Sequence, residues 1–96
     1  MANPLDEQQL NEALERLPSW SVSDDRLVRT YRFNSFREAI SFLVRVAFEA
    51  EDMDHHPEIR NVYSRVEISL TTHDAGDKVT QKDVDLALRI EHFAWV

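Results

Sequence analysis

Apolar residues recur with helical spacing near the N-terminus. The positions that follow the i, i+3, i+4, i+7 pattern of one buried helix face are Leu10, Ala13, Leu14 and Leu17. Asn3 is expected to cap this helix, because Pro4 then occupies the first helical position. Pro18 disfavours helical geometry in the residue before it, so the helix is expected to end there.

A longer helix is predicted in the middle of the chain, beginning at a capping box formed by Ser35 and Glu38. Its expected inner face comprises Phe36, Ala39, Ile40, Leu43, Ala47 and Ala50, flanked by Phe42, Val46 and Met53 on one side and Val44 and Phe48 on the other. This apolar arc is wider than one side of a small two-layer domain needs. It indicates either an unusually deeply buried helix or, as we expect, the interface of a homodimer or homotetramer.

Alternating apolar and polar residues predict two pairs of short strands. The predicted strands cover residues 20–22, 27–33, 62–63 and 66–72, with tight turns at 24–25 and 64–65. In the last strand Val66, Ile68 and Leu70 face one way. If the alternation continues, His73 projects on the opposite, polar side.

A final helix is predicted after Thr80 and Asp83, which again have capping-box spacing. Its apolar positions are Val84, Ala87, Leu88, Ile90 and Ala94. The element order is therefore α-β-β-α-β-β-α, and the links within each strand pair are too short for parallel crossovers. The sequence predicts a two-layer α+β fold, in which helices pack on one face of a four-stranded antiparallel sheet.

Length and composition narrow the classes of function. The 96 residues (1–96) predict one domain, and 43% apolar residues argue against disorder. A net charge of −7 disfavours direct nucleic-acid binding, and Arg26, Arg29 and Arg32 are expected to form a solvated strand face. The sequence contains no apolar run that could cross a membrane and no signal-peptide pattern. Cysteine is absent, which fits a cytoplasmic protein without disulfides or thiolate zinc sites.

The candidate chemistry lies in the sequence Asp54-His55-His56-Pro57 and in His73. Histidine exchanges protons near neutral pH. His55, His56 and His73 are predicted at element ends, where catalytic groups are often placed. A solvated helix C-terminus alone could also account for the histidine pair. A metal site is less favoured, because the chain lacks His-x-x-x-His spacing and every cysteine ligand.

The spacing of these residues resembles the signature of the pterin-4a-carbinolamine dehydratase family. The matching residues are Glu51, His55, His56, Pro57, Tyr63, His73 and Asp83. Three residues separate Glu51 from His55, five separate Pro57 from Tyr63, and nine lie in each of the next two intervals. Trp20 and the stretches 61–63 and 86–87 extend the resemblance over nearly the whole chain.

The resemblance implies a fold like the one predicted above, in dimers or tetramers. It also implies the dehydration of 4a-hydroxytetrahydropterin to quinonoid dihydropterin, which recycles the cofactor of aromatic amino-acid hydroxylases. This reaction requires no bound cofactor or metal. The alternative is a non-catalytic dimerisation or assembly partner of another protein, because the family includes such members.

The resemblance also assigns roles to residues. His55, His56 and His73 are the implied catalytic set. Glu51 and Asp54 are expected to orient imidazoles or to bind the polar edge of the pterin. The remaining candidates are Pro57, which restricts the end of the helix, Trp20 as an apolar wall or core residue, and Asp83 as a helix cap that supports the pocket.

Two local departures from the family pattern concern the surroundings of the site. Family members often carry a basic residue after the motif glutamate, whereas this chain has Asp52. A second glycine is common after Gly76, whereas this chain continues with Asp77 and has a loop one residue longer. We therefore expect the local pocket shape to differ, while the histidines are retained.

Overall fold

A computed structural model of the protein describes residues 3–96. The elements are α1 (Glu7–Arg16), β1 (Ser21–Ser23), β2 (Arg26–Arg32), α2 (Phe36–Met53), β3 (Glu58–Val62), β4 (Arg65–Leu70), a short 3-10 helix (His73–Ala75) and α3 (Gln81–Phe93). The four strands form one antiparallel sheet in the order β1-β2-β4-β3. The predicted fold class and element order are confirmed.

One face of the sheet carries the core. Leu27 pairs with Leu70 and Tyr31 with Val66, so these side chains share a face, and all four are at most 1% exposed. Helix α2 packs an aromatic side chain against this face: the Phe42 ring centroid lies 4.6 Å from that of Tyr31. Burying such apolar surface stabilises the fold by about 25 cal/mol per Å².

The inner face of α2 differs from the prediction. The buried positions are Ala39, Phe42, Val46 and Ala50, whereas the structure exposes Phe36, Ile40, Val44, Ala47 and Phe48. The helix is apolar around most of its circumference, so periodicity alone did not define its orientation. Aromatic contacts of Phe42 with Tyr31 and Phe33 on the sheet favour the observed orientation.

Two predicted boundaries were wrong. Helix α1 is capped by Asp6, not Asn3: the Asp6 carboxylate accepts from the backbone N–H of Gln9, whose side chain accepts from the Asp6 N–H. This reciprocal capping box satisfies two donors at the helix start. Strand β3 begins at Glu58 rather than at Val62 and is mostly exposed, so its hydrophobic alternation is weak.

The three arginines of β2 do not share a solvated face. Arg29 lies on the helix side of the sheet, where its guanidinium pairs with Glu91 of α3 and donates to the Val96 carbonyl. The hydroxyl of Tyr31 donates to the same Glu91 carboxylate. These contacts attach the C-terminal segment to the sheet. Within residues 3–96, no helix is both long and apolar enough to cross a membrane.

Candidate active site

The end of α2 directs the two adjacent histidines to different surroundings. The helix ends at Met53, near the predicted position, and Asp54 adopts a left-handed conformation with φ 50°. The N–H of His55 donates to the Ala50 carbonyl, which closes the last turn. As a result, His55 turns inward and is 9% exposed, whereas His56 is exposed.

His55 is held by a buried carboxylate. Its Nε2 lies 2.6 Å from Oδ1 of Asp83, which is 0% exposed. A buried carboxylate is stable only when it is fully hydrogen-bonded, and Oδ2 of Asp83 accepts from the Thr80 backbone N–H and from the Thr72 hydroxyl, each at 2.8 Å. The predicted capping box of Thr80 and Asp83 is present. The same carboxylate therefore caps α3 and orients His55.

The other two histidines have exposed carboxylate partners. Nε2 of His56 lies 2.8 Å from Oε1 of Glu51, and Nδ1 of His73 lies 3.1 Å from Oδ1 of Asp77. Strand β4 ends at Leu70, so His73 does not continue its alternation as predicted. Instead it begins the 3-10 helix, and 92% of its side chain is exposed. Such exposed pairs contribute less than about 1 kcal/mol to stability.

The three histidines line one open cleft of about 270 Å³. The remaining lining residues are Asp54, Thr71, Thr72, Asp74 and Lys82. Of the lining residues, Thr71, Thr72, Asp74 and Lys82 were not predicted from the sequence. They belong to no recognisable motif and come together only where the loop after β4 meets the start of α3. Within residues 3–96, no group of three or more His, Asp or Glu side chains is arranged to hold a metal ion.

The remaining predicted site residues have other surroundings. Trp20 does not line the cleft; it is a core residue, 5% exposed, and packs edge-on against Tyr31. Its expected role as an apolar wall is therefore not supported. Pro57 and Glu51 line a neighbouring apolar groove of about 420 Å³, which also includes His56. Asp83 is not part of the cleft wall; it contacts two residues that line the cleft, His55 and Thr72.

The two departures from the expected sequence pattern have structural partners. Asp52 accepts a hydrogen bond of 2.8 Å from Arg89, which ties α2 to α3 and raises the pKa of Arg89 above its ordinary value. Asp77, which follows the left-handed Gly76, provides the carboxylate that contacts His73. These two departures, Asp52 and Asp77, therefore act beside the cleft, and its three imidazoles remain in place.

The arrangement suits proton transfer. Two imidazoles from the end of α2 and one from the start of the 3-10 helix line one cleft, and each is paired with a carboxylate that can orient its ring and stabilise its cationic form. Serine and cysteine are not among the lining residues. Acid–base chemistry on a small polar molecule is the reaction class that these groups support.

The chain is similar to known proteins along nearly its whole length. The sequence profile described as pterin 4 alpha carbinolamine dehydratase matches residues 3–93. A protein of Opitutus terrae, named provisionally as a pterin-4-alpha-carbinolamine dehydratase, is 54% identical over 96 residues, covering 100% of this chain and 99% of that protein. A protein of Burkholderia multivorans with the same provisional name is 46% identical, covering 98% and 93%.

Solved structures share the fold. A crystal structure from Brucella melitensis, described as a transcriptional coactivator/pterin dehydratase, has a TM-score of 0.88 and 37% identity, covering 94% of this chain and 97% of that one. A pterin dehydratase-like protein described as a RuBisCO assembly factor has a TM-score of 0.68 at 24% identity, which shows similarity of fold alone. Because the profile covers nearly the whole chain and a relative matches it from end to end, the chain belongs to the pterin 4 alpha carbinolamine dehydratase family.

Proposed function

We propose that the protein is a hydro-lyase that dehydrates 4a-hydroxytetrahydropterin to quinonoid dihydropterin in cytoplasmic pterin recycling. The observation that carries the proposal is the convergence of His55, His56 and His73 on one cleft, each with a carboxylate partner. Membership of the family supports the substrate class.

The chemistry requires two proton transfers. A base removes the proton from N5, and the N5 electron pair forms a double bond to C4a. The C4a–O bond breaks as an acid protonates the hydroxyl, which leaves as water. Charge and atoms balance without an oxidant or a nucleophile. Each well-placed proton transfer accelerates such a reaction by about 10²–10⁴.

In this proposal the histidines divide the two transfers between different walls of the cleft. His55 is fixed at the end of α2, whereas His73 begins the 3-10 helix that follows β4. A flat heterocycle between them would meet one imidazole on N5 and another on the 4a-hydroxyl. The Asp54 carboxylate, which also lines the cleft, is suited to accept from the amino edge of the pterin.

We also propose that the protein forms a homodimer or homotetramer through the outward face of α2. The residues that define this outer face are Phe36, Ile40, Val44, Ala47 and Phe48, and Phe48 is 69% exposed. Contiguous exposed apolar surface is characteristic of interaction sites. The same face could serve a non-catalytic assembly role, but such a role does not account for three histidines with carboxylate partners.

The direct test is a dehydratase assay with freshly generated 4a-hydroxytetrahydropterin. The purified protein should accelerate formation of the quinonoid product well above the spontaneous rate, in proportion to enzyme concentration. A rate equal to the spontaneous one, with a folded protein, would refute the enzymatic proposal and favour the assembly role.

A further inference from the structure

We infer that Thr72 and Thr80 are positioning residues that fix the protonation pattern of His55, so that its Nδ1 is the nitrogen available for proton transfer. Both threonines are buried, at 3% and 1% exposure, and neither belongs to the family signature recognised in the sequence. The inference deepens the proposed function, and its catalytic consequence rests on it. The protonation pattern itself can be measured without any substrate.

The hydrogen bonds around Asp83 form a chain with one possible direction. The Thr72 hydroxyl has a single proton, which it donates to Oδ2 of Asp83 at 2.8 Å. The Thr72 and Thr80 hydroxyl oxygens are 2.7 Å apart, so the proton between them must come from Thr80. The Thr80 oxygen in turn accepts from the backbone N–H of Lys82 at 3.2 Å.

This direction determines what Asp83 can offer to His55. Oδ2 already accepts from the Thr72 hydroxyl and from the Thr80 backbone N–H, so both of these partners stabilise an ionised carboxylate. Oδ1 is then an acceptor as well, and the 2.6 Å contact requires a proton on Nε2 of His55. In the neutral imidazole the other nitrogen, Nδ1, therefore has no proton and can accept one.

The surroundings of His55 leave Nδ1 available. Among residues 3–96, no side chain makes a hydrogen bond with this nitrogen, and His55 lines the cleft. A free imidazole exchanges between its two tautomers, so unless Asp83 is held as an ionised acceptor only a fraction of the molecules would present Nδ1 as a base. The two threonines thus act through Asp83: Thr72 lines the cleft, but its single hydroxyl proton is donated to Asp83.

The tautomer can be read by nitrogen-15 NMR of the histidine-labelled protein at alkaline pH. We expect the wild-type His55 ring to show a protonated Nε2 and an unprotonated Nδ1. The opposite assignment, with the proton on Nδ1, would overturn the inference, because it would require Asp83 to donate from Oδ1.

Substitution of Thr72 tests the chain itself. Thr72→Val keeps the side-chain shape but removes the hydroxyl, whereas Thr72→Ser keeps the hydroxyl. In the valine variant we expect some molecules to carry the His55 ring proton on Nε2 and others on Nδ1. In the serine variant we expect the proton on Nε2, as in the wild type. Thr71→Val is the matched NMR control, since Thr71 is the neighbouring residue and its hydroxyl contacts the Asp25 carbonyl instead. A folded Thr72→Val protein with the wild-type pattern would contradict the inference.

Kinetics separate this role from substrate binding. Loss of a hydrogen bond to a charged group should lower kcat of Thr72→Val about tenfold with KM nearly unchanged. Thr30→Val, on the exposed outer face of β2, should retain wild-type kcat. If Thr72→Val does not fold, the position of the ring proton in wild-type His55 alone decides whether the inference stands. If the wild type has no dehydratase activity but shows the Nε2–H pattern, the proposed function fails while the positioning stands.

Discussion

Among the three histidines, His55 alone has a buried side chain. The sequence predicted all three at element ends, but His55 is 9% exposed and contacts a fully buried carboxylate. His56 and His73 remain in solvent with surface partners. In the proposed mechanism, substituting His55 should therefore affect both folding and chemistry, whereas substituting the other two should affect chemistry alone.

His55→Ala should lower the free energy of unfolding by about 2–4 kcal/mol, because it leaves the buried Asp83 carboxylate without its hydrogen bond to His55. His56→Ala and His73→Ala should change it by less than about 0.5 kcal/mol. Urea denaturation of the three variants measures this. Equal stability of all three variants would show that the buried pair of His55 and Asp83 makes no net contribution to the free energy of unfolding.

A buried tyrosine is expected to make the stability of the protein sensitive to alkaline pH. Burial, together with the hydrogen bond to Glu91, raises the pKa of Tyr31 above its ordinary value of 10.0. Above that pH the unfolded state loses the proton that the folded state retains, so the contribution to stability decreases as pH rises.

We expect the unfolding free energy of the wild type to decrease above about pH 10 more steeply than that of Tyr31→Phe. Tyr63→Phe is the control, because Tyr63 is 66% exposed. Denaturation at a series of pH values from 8 to 11 measures the slopes. Parallel curves for wild type and Tyr31→Phe would show that this hydroxyl does not carry the pH dependence.

At the scale of elements, the sequence predicted the helices and strands but not the orientation of α2. Leu10, Ala13, Leu14 and Leu17 form a narrow stripe, so the inner side of α1 followed directly from spacing. Helix α2 is apolar on both sides, and its orientation depends on the aromatic contacts of Phe42, which are long-range. Periodicity contains no information about such contacts.

The site was predictable to a similar extent. The three histidines were found from their type and spacing, and they do meet in one cleft. Asp83 was expected to support the pocket, but its contact with Thr72 was not predicted, because the two residues are eleven apart and meet only when the segment after β4 packs against α3. Glu51 was recognised because it belongs to the same motif as His55 and His56.

The outer face of α2 predicts self-association. Val44→Asp and Phe48→Glu place charge in the centre of this apolar face, so each should shift an oligomer toward monomer at micromolar concentration. Asn11→Glu adds the same kind of charge to an exposed position of α1 and should have no effect. Sedimentation equilibrium measures the mass of each variant. A wild-type monomer, or unchanged mass in both α2 variants, would exclude this interface.

At the scale of the whole molecule, the chemistry that we propose depends on side-chain protons alone. Treatment of the purified protein with a strong chelator should leave dehydratase activity unchanged. The physical reason is that N5 deprotonation and loss of the 4a-hydroxyl need an acid and a base, which imidazoles supply near neutral pH. Activity that is lost with the chelator and restored by zinc or iron would assign a metal to the reaction.

The central claim is that imidazoles from two different elements perform the acid–base chemistry, and steady-state kinetics of His55→Gln, His73→Ala and the double variant test it most directly. In His55→Gln the side-chain amide can still donate to Asp83, which separates folding from catalysis. We predict that each single variant loses about 10²–10⁴ in kcat and that the double variant approaches the spontaneous rate, with thermal melts near that of the wild type. Near-normal turnover of 4a-hydroxytetrahydropterin by both folded single variants would contradict the catalytic assignment.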